Sequence, residues 1–260
     1  MYSKLPLSDA LIIIVLLAIL SANLLAVIYI LNNFLVAEIP IRHSTINEGI
    51  VGVPVHKIPL FATSIVEQDI AALTHAGLLQ RNMNGTLTPQ LAADWKQNSG
   101  NQYTLHLRKN VFFHDGTPIT TAGILYTIRI IGLLPERNGH RIAWNGVEVS
   151  APDEHTVIVT VPEDNLHFPE GFTVPILPKH IWQKIPEEDW QKYKGSGAYT
   201  GAGPYKHQGE TLTMDERLTT LTLEEFPGYA LGRPYIEKIT FHFFATPTEL
   251  LRAYPVSYTI

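Results

Sequence analysis

The chain contains no cysteine, which excludes disulfides, thiolate metal sites and a lipid-attachment cysteine together. Charge is scarce as well: Asp, Glu, Lys and Arg make up 17% of the 260 residues and leave a net charge of -5. No cluster of Lys and Arg with interleaved aromatics occurs, so nothing in the sequence addresses nucleic acid. Catalytic signatures are missing too. Eleven histidines are present, yet no two stand at i, i+4 beside a glutamate as a helical zinc protease needs, and no G-x-S-x-G marks a serine nucleophile. Gly195, Gly197, Gly201 and Gly203 match neither the dinucleotide-binding nor the P-loop spacing. Their simplest use is close chain approach or positive φ. Glu187-Glu188-Asp189 follows a proline and reads as a solvated helix N-terminus. Neither an enzyme nor a resident metal or cofactor is expected.

Apolar residues, by contrast, are concentrated at the start. Leu11 to Leu31 is interrupted only by Ser21 and Asn23, and the run extends to Val36. About 20 helical residues span a hydrocarbon core of ~30 Å, whereas the apolar region of a signal peptide is usually about 7 to 15 residues long. Leu35-Val36-Ala37 is a poor cleavage site. Residues 11–36 are therefore expected to be an uncleaved transmembrane anchor, with 1–10 in the cytoplasm and 37–46 as a tether. Lys4 before the span leans the orientation that way.

The densest signal lies at Tyr103 to Tyr126. Tyr103, Leu105 and Leu107 alternate with Thr104, His106 and Arg108, the pattern of a strand with one apolar face. Val111 to Phe113 follows, then His114-Asp115-Gly116 as a turn, and Thr120 as the cap of a helix carrying Ile124, Leu125, Ile128 and Ile131. Flanking hairpins are predicted at 98–101, joining a strand near Trp95 to 103–107, and between 147–149 and 156–161. Ile65 to Leu79 has helical spacing, Gly49 to Val53 reads as a buried strand, and 218–225 and 236–244 alternate as strands. Thr248 to Tyr254 reads as a helix. His114, Asp115 and His180 are read as turn and packing groups, because a solitary histidine lacks the converging ligands a metal requires.

In its order this segment resembles the family 5 extracellular solute-binding proteins, the oligopeptide-, dipeptide- and nickel-binding type. Similar matches flank it: LTHAGLLQRNMNGTLTPQLAADW from Leu73, VPILPKHIW from Val174, GAGPYK from Gly201 and LEEFPGYALGRPYIEKITFHFF from Leu223. Gly123 departs from the pattern, since the family usually carries an acidic residue there.

The resemblance implies a mixed α/β fold: the first lobe of a type II periplasmic-binding-protein architecture. In it, 47–68 and 171–260 form an incomplete lobe, 69–170 form an inserted subdomain, and the second lobe is missing. It implies no cofactor, an extracytoplasmic location on a single-pass membrane anchor, and capture of peptides or similar solutes for an ABC permease, here by what reads as a truncated copy. The alternative is a non-transporting interaction or sensory module retaining only the first lobe. Family members bind their solute between lobes largely through backbone hydrogen bonds. Phe61, Ala62, Thr63 and Ser64 in one loop, Gly201, Ala202 and Gly203 in another, and Tyr229 are the residues expected to face the cleft.

Overall fold

The computed structural model describes residues 7–34, 44–98, 100–162, 165, 168–193 and 195–253. The expected cytoplasmic segment before Leu7, the tether up to residue 43, and Val36 at the end of the expected span lie outside them. The chain divides into two units, Met1–Ile41 and Arg42–Ile260.

The first unit is one helix, α1 (Leu7–Phe34), of 28 residues, about 42 Å at 1.5 Å per residue. Its described side chains, at 11–27 and 29, are all exposed. Ser21 donates to the Ala18 carbonyl at 2.9 Å and Asn23 to the Ile19 carbonyl at 2.8 Å, so both polar side chains bond within the helix itself. Among the described residues, no helix is long and apolar enough to cross a membrane.

The second unit runs β1 (Ser44–Val51), α2 (Ile65–Thr74), β2 (Leu79–Arg81), β3 (Leu87–Pro89), β4 (Ala92–Gln97), β5 (Gln102–Leu107), α3 (Thr121–Leu133) and α4 (Gly139–Ala143). It continues through β6 (Glu148–Ser150), β7 (Thr156–Thr160), α5 (Lys179–Trp182), β8 (Tyr205–Leu212), β9 (Leu218–Glu225), β10 (Ile236–Phe244) and α6 (Pro247–Ala253). One sheet has the order β1-β10-β9-β8, with β1 parallel to β10 and the other pairs antiparallel. A second sheet, β4-β5-β7-β6, is antiparallel throughout, and β2–β3 is a separate hairpin.

Alternation explains both sheets. Tyr103, Leu105 and Leu107 of β5 are buried with Val157 and Val159 of β7, and Val111 and Phe113 join them in one core. α3 contributes Ile124, Ile130 and Ile131 to that core, and Trp144 packs edge-on to Phe168 with ring centroids 4.8 Å apart. This first core also draws on Ile58 and Leu60 before that stretch and on Phe172, Trp182, Trp190 and Ala202 after it. The second core lies under the β1-containing sheet. There Ile239, Phe241 and Phe243 alternate inward beside Leu221 and Leu223, and Ile70 of α2 closes over them.

Three local expectations change. Helix α2 stops at Thr74 rather than Leu79, because 76–79 are buried between elements and Leu79 enters a hairpin with Pro89. Strand β1 begins at Ser44, inside the segment read as tether, and its side chains are mostly exposed rather than buried, because it is the edge of its sheet. Thr120 occupies the N-cap of α3 without a side-chain capping bond. The neighbouring Thr121 ties that end instead, its hydroxyl donating to the Asp153 carbonyl at 3.0 Å.

Candidate functional site

The carboxyl ends of parallel strands are the customary position of ligands in α/β sheets. Here those ends are Val51 and Phe244, which are register partners. Gly52 follows at φ +102° and donates to the Phe244 carbonyl at 2.8 Å. That left-handed backbone, natural only to glycine, turns the chain out of the sheet. Val51, Val53 and Val55 then stand exposed on the loop that leads to α2.

One carboxylate shapes this loop. Glu67, only 4% exposed, accepts the backbone N–H groups of Val55 and His56 on Oε1 at 2.8 and 2.7 Å, and those of Thr63 and Ser64 on Oε2 at 2.8 and 3.0 Å. Burial by itself would raise its pKa, but the four donors outweigh burial and hold it down at about 2. Ser64 reciprocates as N-cap of α2, its hydroxyl accepting the Glu67 N–H, which completes a capping box. Lys57 pins the same loop to β8 through Glu210 at 3.0 Å, with its ammonium 5.0 Å from the centre of the Tyr199 ring.

The nominated residues fall into three places. Phe61 is half-buried against the first core and beside His56, with ring centroids 6.2 Å apart. Ala62 is half-buried, and Thr63 and Ser64 are exposed at the start of α2. Gly201, Ala202 and Gly203 are buried. A Cβ on Gly201 would stand 2.2 Å from the Thr74 carbonyl oxygen, and one on Gly203 2.5 Å from that of Leu73. Their lack of side chains permits backbone-to-backbone packing.

His114 locks that packing. Its Nδ1 accepts the Gly201 N–H at 3.2 Å and its Nε2 lies 3.1 Å from the Gly203 carbonyl oxygen, which fixes a neutral tautomer with the proton on Nε2. Burial pushes its pKa down. Tyr229 is half-buried, and its hydroxyl accepts from the Gln90 side-chain amide at 2.9 Å while the Oε1 of the same amide takes the Gly77 N–H at 3.0 Å. Among the described residues, no hydrogen bond joins the glycine segment or Tyr229 to 61–64.

A concavity of ≈ 520 Å³ lies where α2 meets the β2–β3 hairpin, lined by Ala62, Gln68, His75, Arg81, Gln90 and His140 among others. Its charge is already spent: Arg81 pairs with Glu170. His75 is held neutral, its pKa taken down to about 3, first by burial and then by the nearby His114. Among the described residues no group of three His, Cys, Asp or Glu converges to hold a metal. His180 instead bonds Asp115 at 2.5 Å beside the 114–116 turn.

Comparison with known proteins bears on the family and the fold. The model of the bacterial extracellular solute-binding proteins, family 5 (middle), matches residues 86–256. The oligopeptide-binding protein AppA of Bacillus subtilis is 25% identical over 203 residues, covering 74% of this chain and 36% of that protein. Protein XP55 of Streptomyces lividans is 33% identical over 167 residues, 63% of this chain and 29% of its own length. Among solved structures, the ABC transporter substrate-binding protein CtaP of Listeria monocytogenes superposes with a TM-score of 0.68 at 25% identity, covering 82% of this chain and 43% of that one. AppA in complex with a nonapeptide gives the same TM-score and coverage at 22% identity. The chain thus spans less than half the length of these relatives.

Proposed function

Because the chain belongs to the bacterial extracellular solute-binding proteins of family 5, we propose that it supplies one wall of a peptide-receiving cleft for an ABC importer and works on the outer side of the membrane. The observation that carries this reading is the union of the family match with the loop after β1, where Gly52 turns out of the sheet and Val53 and Val55 face solvent. An extended peptide laid there would add its backbone to an exposed strand end and its side chains to shallow apolar ground. Recognition of that kind is tolerant of side-chain identity. Phe61 to Ser64 would form the second rim. Gly201 to Gly203 and Tyr229 would act from behind, by fixing how the chain crosses between the two cores.

The N-terminal helix serves in this reading as a membrane anchor, with an ABC permease as the partner that receives the solute. Its support is the apolar run from Leu11 to Val36 in the sequence and the bonding of Ser21 and Asn23 within the helix, since polar groups in hydrocarbon must be satisfied internally. A complete two-lobed relative closes on its solute by hinge motion. The residues present here offer one side of such a closure.

Photo-cross-linking tests the site. Short peptides carrying a benzophenone side chain, irradiated with the full chain in detergent, should label residues 52–64 when digests are mapped by mass spectrometry. Labelling confined to other surfaces, or none that unlabelled peptides compete away, would reject the reading.

A further inference from the structure

The loop between β1 and α2 has no secondary structure across Gly52 to Ile58 and only a short 3-10 turn at Pro59–Phe61. Its middle is held by the Lys57–Glu210 pair and by the buried Ile58 and Leu60, and its two ends are held by one side chain. A capping box uses a single backbone N–H at the N-cap, here that of Ser64. Glu67 takes three more, from Val55, His56 and Thr63. Those three lie outside α2, so helix capping does not account for them. Each carboxylate oxygen collects a neighbouring pair: Val55 and His56 from the chain leaving β1, Thr63 and Ser64 from the chain entering α2. The ends of the segment 55–64 are thereby drawn to one buried point.

We infer that Glu67 is the positioning residue of the solute-facing wall, fixing Val53–His56 and Phe61–Ser64 in the single arrangement that receives an extended peptide backbone. The inference rests on the reading of residues 52–64 as that wall. Glu67 itself is buried and does not touch the solute. It acts through the loop, by keeping four N–H groups turned inward and so leaving the outer edge of the loop with one fixed set of open groups. A carboxylate is required because both oxygens face pairs of donors, and an ionised carboxylate offers acceptor positions alone. An amide of the same shape would turn an NH2 toward one of those pairs, placing donor against donor.

The full chain in detergent, carrying Glu67→Gln, tests this against the wild type with the benzophenone peptides and with amide hydrogen exchange. The variant should keep the wild-type circular dichroism and the protection of β5, while exchange at one pair, Val55 and His56 or Thr63 and Ser64, accelerates at least tenfold. Peptide labelling at 52–64 should fall at least tenfold. Should Glu67→Gln not fold, Glu67→Asp gives the same reading, because it keeps the charge but is one methylene too short to reach both pairs.

Thr121→Val is the control for the loss of a helix-end hydrogen bond in general. It removes the hydroxyl that ties the start of α3 to the Asp153 carbonyl, leaves residues 52–64 and the Glu67 carboxylate untouched, and should retain the labelling. Wild-type labelling at 52–64 that survives in Glu67→Gln or Glu67→Asp overturns the positioning role alone, as does an equal loss in Thr121→Val. Absence of labelling at 52–64 in the wild type overturns the wall itself and the positioning role with it.

Discussion

At the scale of single residues, burial and hydrogen bonding set the consequences of change. Leu105 is fully buried in β5, and truncating a buried leucine typically costs about 2 to 5 kcal/mol. Leu105→Ala should lower the midpoint of denaturant unfolding accordingly, and an unchanged midpoint would contradict its place in the first core. His75 makes stability depend on acidity. Its folded pKa, about 3, lies below the usual imidazole value near 6.5, so the unfolded chain takes up a proton that the folded chain refuses. Its contribution is complete above pH ~6.5 and is lost progressively as pH falls toward 3, with a slope of up to ~1.4 kcal/mol per pH unit. Glu67 adds a further loss between pH ~4.5 and 2, since its ionised form is the one the four donors stabilise. Unfolding curves measured from pH 7 to 4 should show the first slope, to which His114, His140 and His207, also pushed down by burial, add, and His75→Phe should make it shallower.

Residue identity alone made part of this legible. The apolar set of β5 follows from alternation, and the turn at His114-Asp115-Gly116 follows from residue type, with Gly116 at φ +83°. Ser64 and Glu67 have the S-x-x-E spacing of a capping box, so a helix start could be read there. The reach of Glu67 back to Val55 and His56 could not, because it depends on where the chain returns in space after β1.

Among elements, the strands β9 and β10 occur at the expected residues, as do the two hairpins of the second sheet. The misread elements are those whose fate depends on neighbours. Helical spacing continues past Thr74, but the chain there must pass beneath the 201–203 crossover, where the Gly203 N–H donates to the Thr74 carbonyl at 3.0 Å. Gly203→Ala should therefore destabilise the protein by about 1 to 3 kcal/mol through overpacking, read as a lowered thermal midpoint. Retention of the wild-type midpoint would show that the crossover can open at little cost. The edge position of β1 was equally hidden, since apolar residues such as Ile46 and Val51 give no sign of which side lacks a partner.

The first helix supports a separate expectation. If it anchors the protein, the whole chain should remain in the pellet after alkaline carbonate extraction of membranes. Recovery of a soluble form beginning near Glu38 would instead mark 1–37 as a cleaved leader.

For the molecule as a whole, the sequence motifs identify the family but leave the meeting of the two cores unseen. His114, Thr74 and the glycines at 201 and 203 are far apart in the chain, and their contact appears only once both sheets are formed. The functional account depends on the exposed loop that follows β1, with Val53 and Val55 facing solvent. A wall that touches a peptide from one side leaves much of it hydrated. Its affinity must then fall short of a cleft that closes from two sides.

Titration calorimetry of the full chain, monomeric in detergent, against a mixed library of short peptides measures this directly. The account predicts only weak heats that do not saturate at micromolar peptide. Saturable binding by the monomer at micromolar affinity or tighter would contradict it, since the chain would then enclose its ligand unaided.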